Sequence, residues 1–495
     1  MKRTMLFMLV LALAATGTIS CGGGESFSET TAPKETDSTE TSSPYSDDLP
    51  LDLNFGNETV TFLYREEVAN EFWVESADGD VVNDAIYNSI RSVEERLNVN
   101  IEVATRPGHM ANVRSEYMQH ITNTILAGDD TYDWVDLMIG NSPTLMSEGL
   151  FTNLLDNQYI DLDKPYYLGG LLDNCAIDDK LYFISGDASL GYMKCAFCMY
   201  FNQSIADDFQ VENLYELVNS GKWTMDKLME ISAQASSDLN ADSKYDLEDK
   251  LGFVVPDWNQ PSGIWAATGS FMYQKDSAGE WQFVYGSERD CDVVNKLYRL
   301  FFETDGALYP AISNTTPEHL ETYNKIMTKF RSGEIFIISA EVDDAVSQLR
   351  SMQDDFGILP YPKYDENQEY YGSSARSTFN AFSMPMTCGD PDMAGAVLEA
   401  LSSSNRDSVL PAYFEIALKT KYSRDNDSAR MYDIIRDTMM LDFGFIFTNA
   451  VGNPRGLLMD SLGKENSLAS NIASRKTSLE TSLTKYIDSI KELEG

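Results

Sequence analysis

A strand, a helix and a second strand follow one another where the folded body of this chain begins, and that succession restricts its architecture more than any other feature. "ETVTFLYRE" (58–66) is rich in β-branched and aromatic residues and alternates enough to form a strand. In "DVVNDAIYNSIRSVEERLNVNIEV", Val82, Ile86, Ile90, Val93 and Leu97 recur at helical spacing, and the end "NVNIEV" turns strand-like. Such an opening predicts an α/β domain. The next stretch predicts a helix over about 111–127, a strand from Trp134 to Ile139, a loop "GNS" and a short helix ending at Gly149. Ligands of open α/β sheets sit at the carboxyl ends of strands, so Asn141 and Ser142 are expected to face a cleft.

Further along, "DKLYFISGDASLGYMKCAFCMYFNQSIADDF" predicts two strands around a Gly-Asp loop, then an Asn that opens a helix. Thr224 stands at the N-cap position before Leu228, Ile231 and Ala235. "FRSGEIFIISAEVDDAVSQLRSM" and "DFGILPYPKYDENQEYYGSSARSTFNAFSMP" add strands separated by loops, and "DPDMAGAVLEALSS" and "SARMYDIIRDTMM" read as helices. In the last helix Leu479, Leu483, Tyr486, Ile487 and Ile490 form one apolar stripe, which is read as core packing.

The first twenty residues differ from all of this. Lys2 and Arg3 precede a continuous apolar run from Met5 to Ala15, the layout of a secretory signal, and the run is short for a membrane span. Thr18, Ile19 and Ser20 then lead into Cys21, a junction that resembles the lipobox of bacterial lipoproteins. That resemblance implies cleavage before Cys21 and a diacylglycerol on its thiol; the alternative is a secreted protein with an incidental cysteine. Residues 21–56 are dominated by Gly, Ser, Thr, Pro and acidic side chains, and are expected to form a disordered linker between the anchor and the body.

About 445 residues remain, enough for two or three domains. The formal charge is −41, and loss of Lys2 and Arg3 with the leader makes it −43. A polyanion would be repelled by such a body, which argues against nucleic-acid binding. Cys175, Cys195, Cys198, Cys291 and Cys388 lack disulfide-framework spacing. The C-x-x-C of "KCAFCMY" falls in an expected strand, where positions three apart face opposite ways, so these cysteines read as small buried hydrophobes. His109, His120 and His319 are isolated from one another, and neither H-E-x-x-H nor G-x-S-x-G occurs, so the chain gives little support for catalysis.

"YDWVDLMIGNSPTLMSEGLFTNL", "LYFISG", "MYFNQSIADDF", "GKWTMDKLMEIS", "FRSGEIFI", "FGILPYPKYDE" and "AGAVLEAL" occur in an order that resembles the extracellular solute-binding proteins, in the maltose-binding-like (family 1) group. The resemblance spans roughly 58–445. It implies a non-catalytic, two-lobed α/β fold of the periplasmic-binding-protein type, with a ligand cleft between lobes, serving the permease of an ATP-binding-cassette (ABC) importer. It places 58–190 with 378–410 in one lobe and 191–377 with 411–495 in the other. A monomer, lipid-anchored through Cys21 on the extracellular face of the cell membrane and taking a small solute, in particular an oligosaccharide, is then expected.

Sugar sites combine aromatic faces with planar polar groups, and the candidates lie on expected loops. They are Trp73, Asn141, Ser142, Asp187, Trp258 and Trp265 of "VPDWNQPSGIWAATGSF", Glu341, Tyr371 and Arg376. No required cofactor is expected. Asp238, Asn240, Asp242, Lys244, Asp246 and Asp249 fall at positions 1, 3, 5, 7, 9 and 12 of an EF-hand-type loop, but Ser243 stands where the turn wants Gly and Asp249 where it wants Glu. A structural calcium ion and a solvated acidic turn are both left open. Two other functions compete with the receptor: a cell-surface glycoside hydrolase using a carboxylate pair, and a carbohydrate-adhesion lipoprotein.

Overall fold

A computed structural model describes residues 45–312, 317–419 and 426–493. The leader (1–20), Cys21 and the linker up to residue 44 lie outside the described residues.

Two main sheets organise the body. The first has the order β11-β3-β1-β2 and the second β10-β4-β9-β5-β8. In the first, β1 (Glu58–Arg65) runs parallel to both β2 (Val99–Arg106) and β3 (Trp134–Met138), and β11 (Asn380–Ser383) returns antiparallel to β3. Parallel neighbours demand a crossover, supplied by the helix Val81–Leu97. Asp80 caps its start by accepting from the backbone N–H groups of Val82 and Asn83, and Asn98 ends it in the left-handed region at φ 49°. Its buried face is Ile86, Ile90, Val93 and Leu97, as the spacing predicts.

The second sheet contains β4 (Phe197–Asn202), β5 (Leu251–Val254), β8 (Ala307–Leu308), β9 (Ile335–Glu341) and β10 (Phe356–Leu359). Here β4 is antiparallel to both β9 and β10, while β5 runs parallel to β8 and β9. A separate hairpin joins β6 (Tyr273–Lys275) and β7 (Trp281–Phe283). Asn202 and Thr224 cap their helices through their side chains. The stripe of the last helix is buried at Leu479, Leu483, Tyr486, Ile487 and Ile490.

Three segments pass side by side between the sheets. Phe197 N–H donates to the Ser374 carbonyl at 2.8 Å, and Arg376 N–H to that of Cys195 at 3.0 Å. The third segment comes from the tail: Ser373 N–H donates to Thr438 at 2.9 Å, and Met440 N–H to Ser373 at 2.7 Å.

Several sequence expectations are corrected. The linker reading, 21–56, runs too far, because from residue 45 the chain is tied to the body. Asp47 receives both terminal nitrogens of Arg96 at 2.6 and 2.7 Å, Lys164 pairs with Asp48 at 2.6 Å, and Leu49 is buried. A polar composition conceals these few anchoring contacts. "LYFIS" joins the first sheet through the single bridge Ile184–Phe382 rather than as a regular strand. A helical turn, Gly191–Lys194, precedes β4, so Cys195 stands outside the strand that contains Cys198. The expected loop holding Trp265 is the helix Gln260–Ala267, buried throughout. Its Pro261 lies in the first turn, where a missing N–H costs nothing, and a Cβ on Gly263 would stand 2.6 Å from the Phe197 ring. All five described cysteines are free thiols.

Where the helix Pro391–Asp407 packs on the first sheet's connections, Glu399 accepts from the hydroxyls of Tyr166 and Tyr167, the latter at 2.6 Å. Burial pushes its carboxyl up to about 7 against those hydrogen bonds. That folded-state value exceeds the unfolded value of about 4.3. Its contribution to stability is therefore fully present below the unfolded pKa and lost as the pH rises through 7. Glu399→Gln keeps the shape and one acceptor oxygen, offers an N–H donor to the second tyrosine oxygen, and does not titrate. Between pH 5.5 and 8 the wild-type melting temperature is expected to fall relative to that of the variant. Parallel curves over this range would rule Glu399 out as a titrating group.

Candidate functional site

The carboxyl ends of β1 and β3 point towards the crossings. After β3 the chain continues as Ile139 and Gly140, whose N–H groups donate to the carbonyls of Phe379 at 2.9 Å and Ser377 at 3.1 Å. From the tail, Asn449 Nδ2 donates to the Gly140 carbonyl at 3.3 Å. A cavity of about 50 Å³ lies at this seam. Ile139 comes from the first sheet's side, Asn259 and Ser262 from the second's, Arg376 from a crossing, and Met440 and Arg455 from the tail. Ligand pockets generally span roughly 300–1,000 Å³, so a sugar ring enters only if these walls part.

Arg376 is the electrostatic centre. Its Nε donates to Glu341 Oε1 at 2.5 Å, and its Nη2 reaches Glu341 and, at 3.3 Å, Asp257 Oδ2. Burial lowers the affinity of Arg376 for its proton, but Glu341 and Asp257 more than reverse this and keep it charged. Burial pushes Asp257 up, yet Arg376 and the hydrogen bonds from Asn259 N–H at 2.6 Å and Nδ2 at 2.8 Å hold it below the usual range. Glu341 is displaced upward by burial in spite of Arg376. Asp344, which accepts from Glu341 N–H at 2.9 Å, is raised to about 7 by burial and by Glu341's charge. His319 Nε2 lies 3.6 Å from Asp257 Oδ2.

Arg65, at the end of β1, forms a two-pronged pair with Asp136 of β3, with Nε–Oδ2 at 2.6 Å and Nη2–Oδ1 at 3.1 Å. Its Nη1 donates to the Thr378 carbonyl at 3.0 Å and lies 3.1 Å from His109 Nδ1. Burial and the Arg65 charge lower His109 to about 4, with Arg114 and Arg376 adding to the effect. On the tail side, Arg455 Nη2 donates to Asn259 Oδ1 at 2.5 Å, and its guanidinium lies 5.1 Å from the Trp258 ring centre. Burial and the nearby Arg376 lower its pKa to about 10.

The sequence candidates divide. Arg376, Glu341 and Trp258 are brought to this seam. Asn141 adjoins it through Gly140, with its Nδ2 3.2 Å from Met118 Sδ, and Ser142 is buried with its hydroxyl near the Met138 carbonyl. Trp265 stands behind the wall, fully buried against Tyr285 and Phe445. Tyr371 is buried, its hydroxyl donating to the Val218 carbonyl at 3.0 Å. Asp187 is locked elsewhere by the Tyr192 hydroxyl at 2.5 Å and by Arg406 at 3.0 Å. Trp73 is half-buried against the core just after β1. Sequence reasoning missed Asp257, Asn259 and Arg455; the Pro-Asp-Trp-Asn run was the available signal for the first two, and no local signal marks the third.

In the acidic loop, Asp238 accepts from the N–H groups of Ala241 at 2.7 Å and Ser243 at 2.9 Å. Asp249 accepts from those of Leu239 at 2.9 Å and Asp246 at 3.0 Å. Asn240, Asp242 and Asp246 likewise receive the N–H groups of Asp242, Lys244 and Glu248. Among the described residues no three His, Cys, Asp or Glu side chains converge on one point. As arranged, each of these side chains accepts at least one hydrogen bond from the loop's own backbone.

No helix of the described residues is long and apolar enough to cross a membrane. No family model and no curated protein matches the chain. Solved structures do match it. UspC of M. tuberculosis is similar at 12% identity over 86% of this chain and 100% of its own, with a TM-score of 0.54. The maltose-binding periplasmic protein MalE of Listeria monocytogenes, solved with maltose, is similar at 12% identity over 89% and 99%, with a TM-score of 0.53. A galacto-N-biose/lacto-N-biose I-binding protein of the ABC transporter from Bifidobacterium longum is similar at 14% identity over 87% and 98%, with a TM-score of 0.52. The body of this chain therefore has the two-lobed α/β fold of the extracellular, sugar-binding proteins of ABC transporters.

Proposed function

We propose that this protein is an extracellular receptor, lipid-anchored through Cys21, that hands a carbohydrate to an ABC permease without altering it. The observation that carries the reading is the seam cavity. It is lined from both sheets and from the crossings, with Arg376 in its wall and ionic and aromatic side chains around it. Movement of one sheet relative to the other would open and close such a site, which is what capture and release require. The solved proteins of this fold that carry maltose or lacto-N-biose support the sugar assignment. Permease delivery and anchoring belong to the proposal.

A thermal-shift screen of the full chain against mono- and oligosaccharides tests it. A ligand at 100 times its dissociation constant adds about 2.7 kcal/mol of stability. At least one oligosaccharide class should raise the midpoint and be recovered intact. A bound sugar returned as cleaved product would replace the receptor with a hydrolase, and a panel without any shift would remove the sugar.

A further inference from the structure

We infer that the solute carries a carboxylate, as in a hexuronate-containing oligosaccharide, and that Arg455 receives it; this rests on the receptor reading above. The sequence shows no basic cluster, but the fold gathers one. Arg65, His109 and Arg114 meet on the side of the first sheet, and Arg376 and Arg455 line the seam.

What separates these cations is how their charge is balanced. Arg65 has Asp136, while Arg376 has both Glu341 and Asp257. Among the described residues, Arg455 makes no ion pair. It donates one hydrogen bond to the neutral Asn259, lies over the faces of Trp258 and Phe445, and keeps its Nε buried without an acceptor. The carboxylate whose charge favours its protonated form, Asp257, is already shared by Arg376, Asn259 and His319. Among the described residues Arg114 repeats the pattern: no ion pair, one bond to the His109 carbonyl at 2.9 Å, and a buried Nε without an acceptor.

A guanidinium withdrawn from water without a counter-charge is costly, and a two-oxygen anion matches its forked donors. The size of the space agrees. A cavity of about 50 Å³ holds on the order of three or four water-sized groups. That is room for a carboxylate head, with the sugar ring lying outside it once the walls part. The Trp258 face beside Arg455 offers a platform for that ring.

Matched trisaccharides decide the matter: neutral glucose, galactose and mannose oligomers, each against its uronate counterpart, titrated calorimetrically into the full chain. In at least one pair the uronate should bind ten or more times more tightly. Arg455→Met should abolish that preference with an unchanged melting temperature, and Arg455→Lys should retain part of it. Neutral members that bind as well as, or better than, their uronates would overturn the carboxylate inference and leave the receptor reading standing. A uronate preference that survives Arg455→Met would overturn the assignment to Arg455. No binding by any member would overturn both this inference and the sugar reading beneath it.

Discussion

Arg65→Met should lower the unfolding free energy of the protein by about 3–5 kcal/mol, the usual result of stripping one partner from a buried ion pair. The side chains of Arg65 and Asp136 are 1% and 0% exposed, so water cannot replace the lost guanidinium. Asp136 would keep only the long contact from Arg65 N–H at 3.3 Å. The Thr378 carbonyl would also lose its donor, which loosens the crossing next to Arg376. The informative control is Arg65→Met with Asp136→Leu. Removing both charges from between two parallel strands should recover most of the loss, because desolvation then disappears along with the attraction. Urea midpoints of the wild type, both single variants and the double variant measure this. Equal losses in the single and double variants would show that packing, not charge pairing, holds the site.

Trp265→Ala is expected to cost about 3–5 kcal/mol, the range for emptying a large aromatic from a core. Its ring is fully buried, edge-on to Tyr285 at 5.4 Å and to Phe445 at 5.2 Å. The sequence suggests a sugar platform here, since Trp265 follows a Pro-Ser-Gly run that reads as a loop. The two roles separate in one experiment. A core residue lowers the urea midpoint strongly, whereas a platform exposed in a cleft lowers sugar affinity and leaves the midpoint almost unchanged. The second pattern would contradict the packing described here.

Periodic segments were legible because their burial pattern is local. The spacing of Val82 to Leu97 and of Leu479 to Ile490 alone marks which face enters the core. The α/β class followed from the order of such segments, and the run after β3 meets the second crossing through Ile139 and Gly140. Other features depend on partners distant in sequence. Nothing near residue 47 announces Arg96, and nothing near 438–440 announces Ser373. Trp258 and Trp265 occupy one motif, yet one meets Arg455 at the seam and the other the core, a choice made by a helix whose Pro and Gly disguise it. The acidic loop shows the converse. Its alternating oxygens also serve Asx-type hydrogen bonds to the backbone, which give the turn a shape of its own. The arginine cluster assembles from residues 65, 114, 376 and 455, a set that no window along the chain contains.

Retention of a solute at the seam between the two sheets requires that the cavity there stay open. It is tested most directly by titrating an oligosaccharide identified in the screen into wild type and Ser377→Trp, which places an indole against Gly140 and into the cavity. Saturable binding to the wild type, recovery of the sugar intact and at least tenfold weaker binding to the variant are expected. The variant should still unfold cooperatively, although overfilling a cavity of about 50 Å³ lowers its stability by about 1–3 kcal/mol. Equal affinity in the two proteins would contradict retention at the seam and place the binding site elsewhere on the molecule.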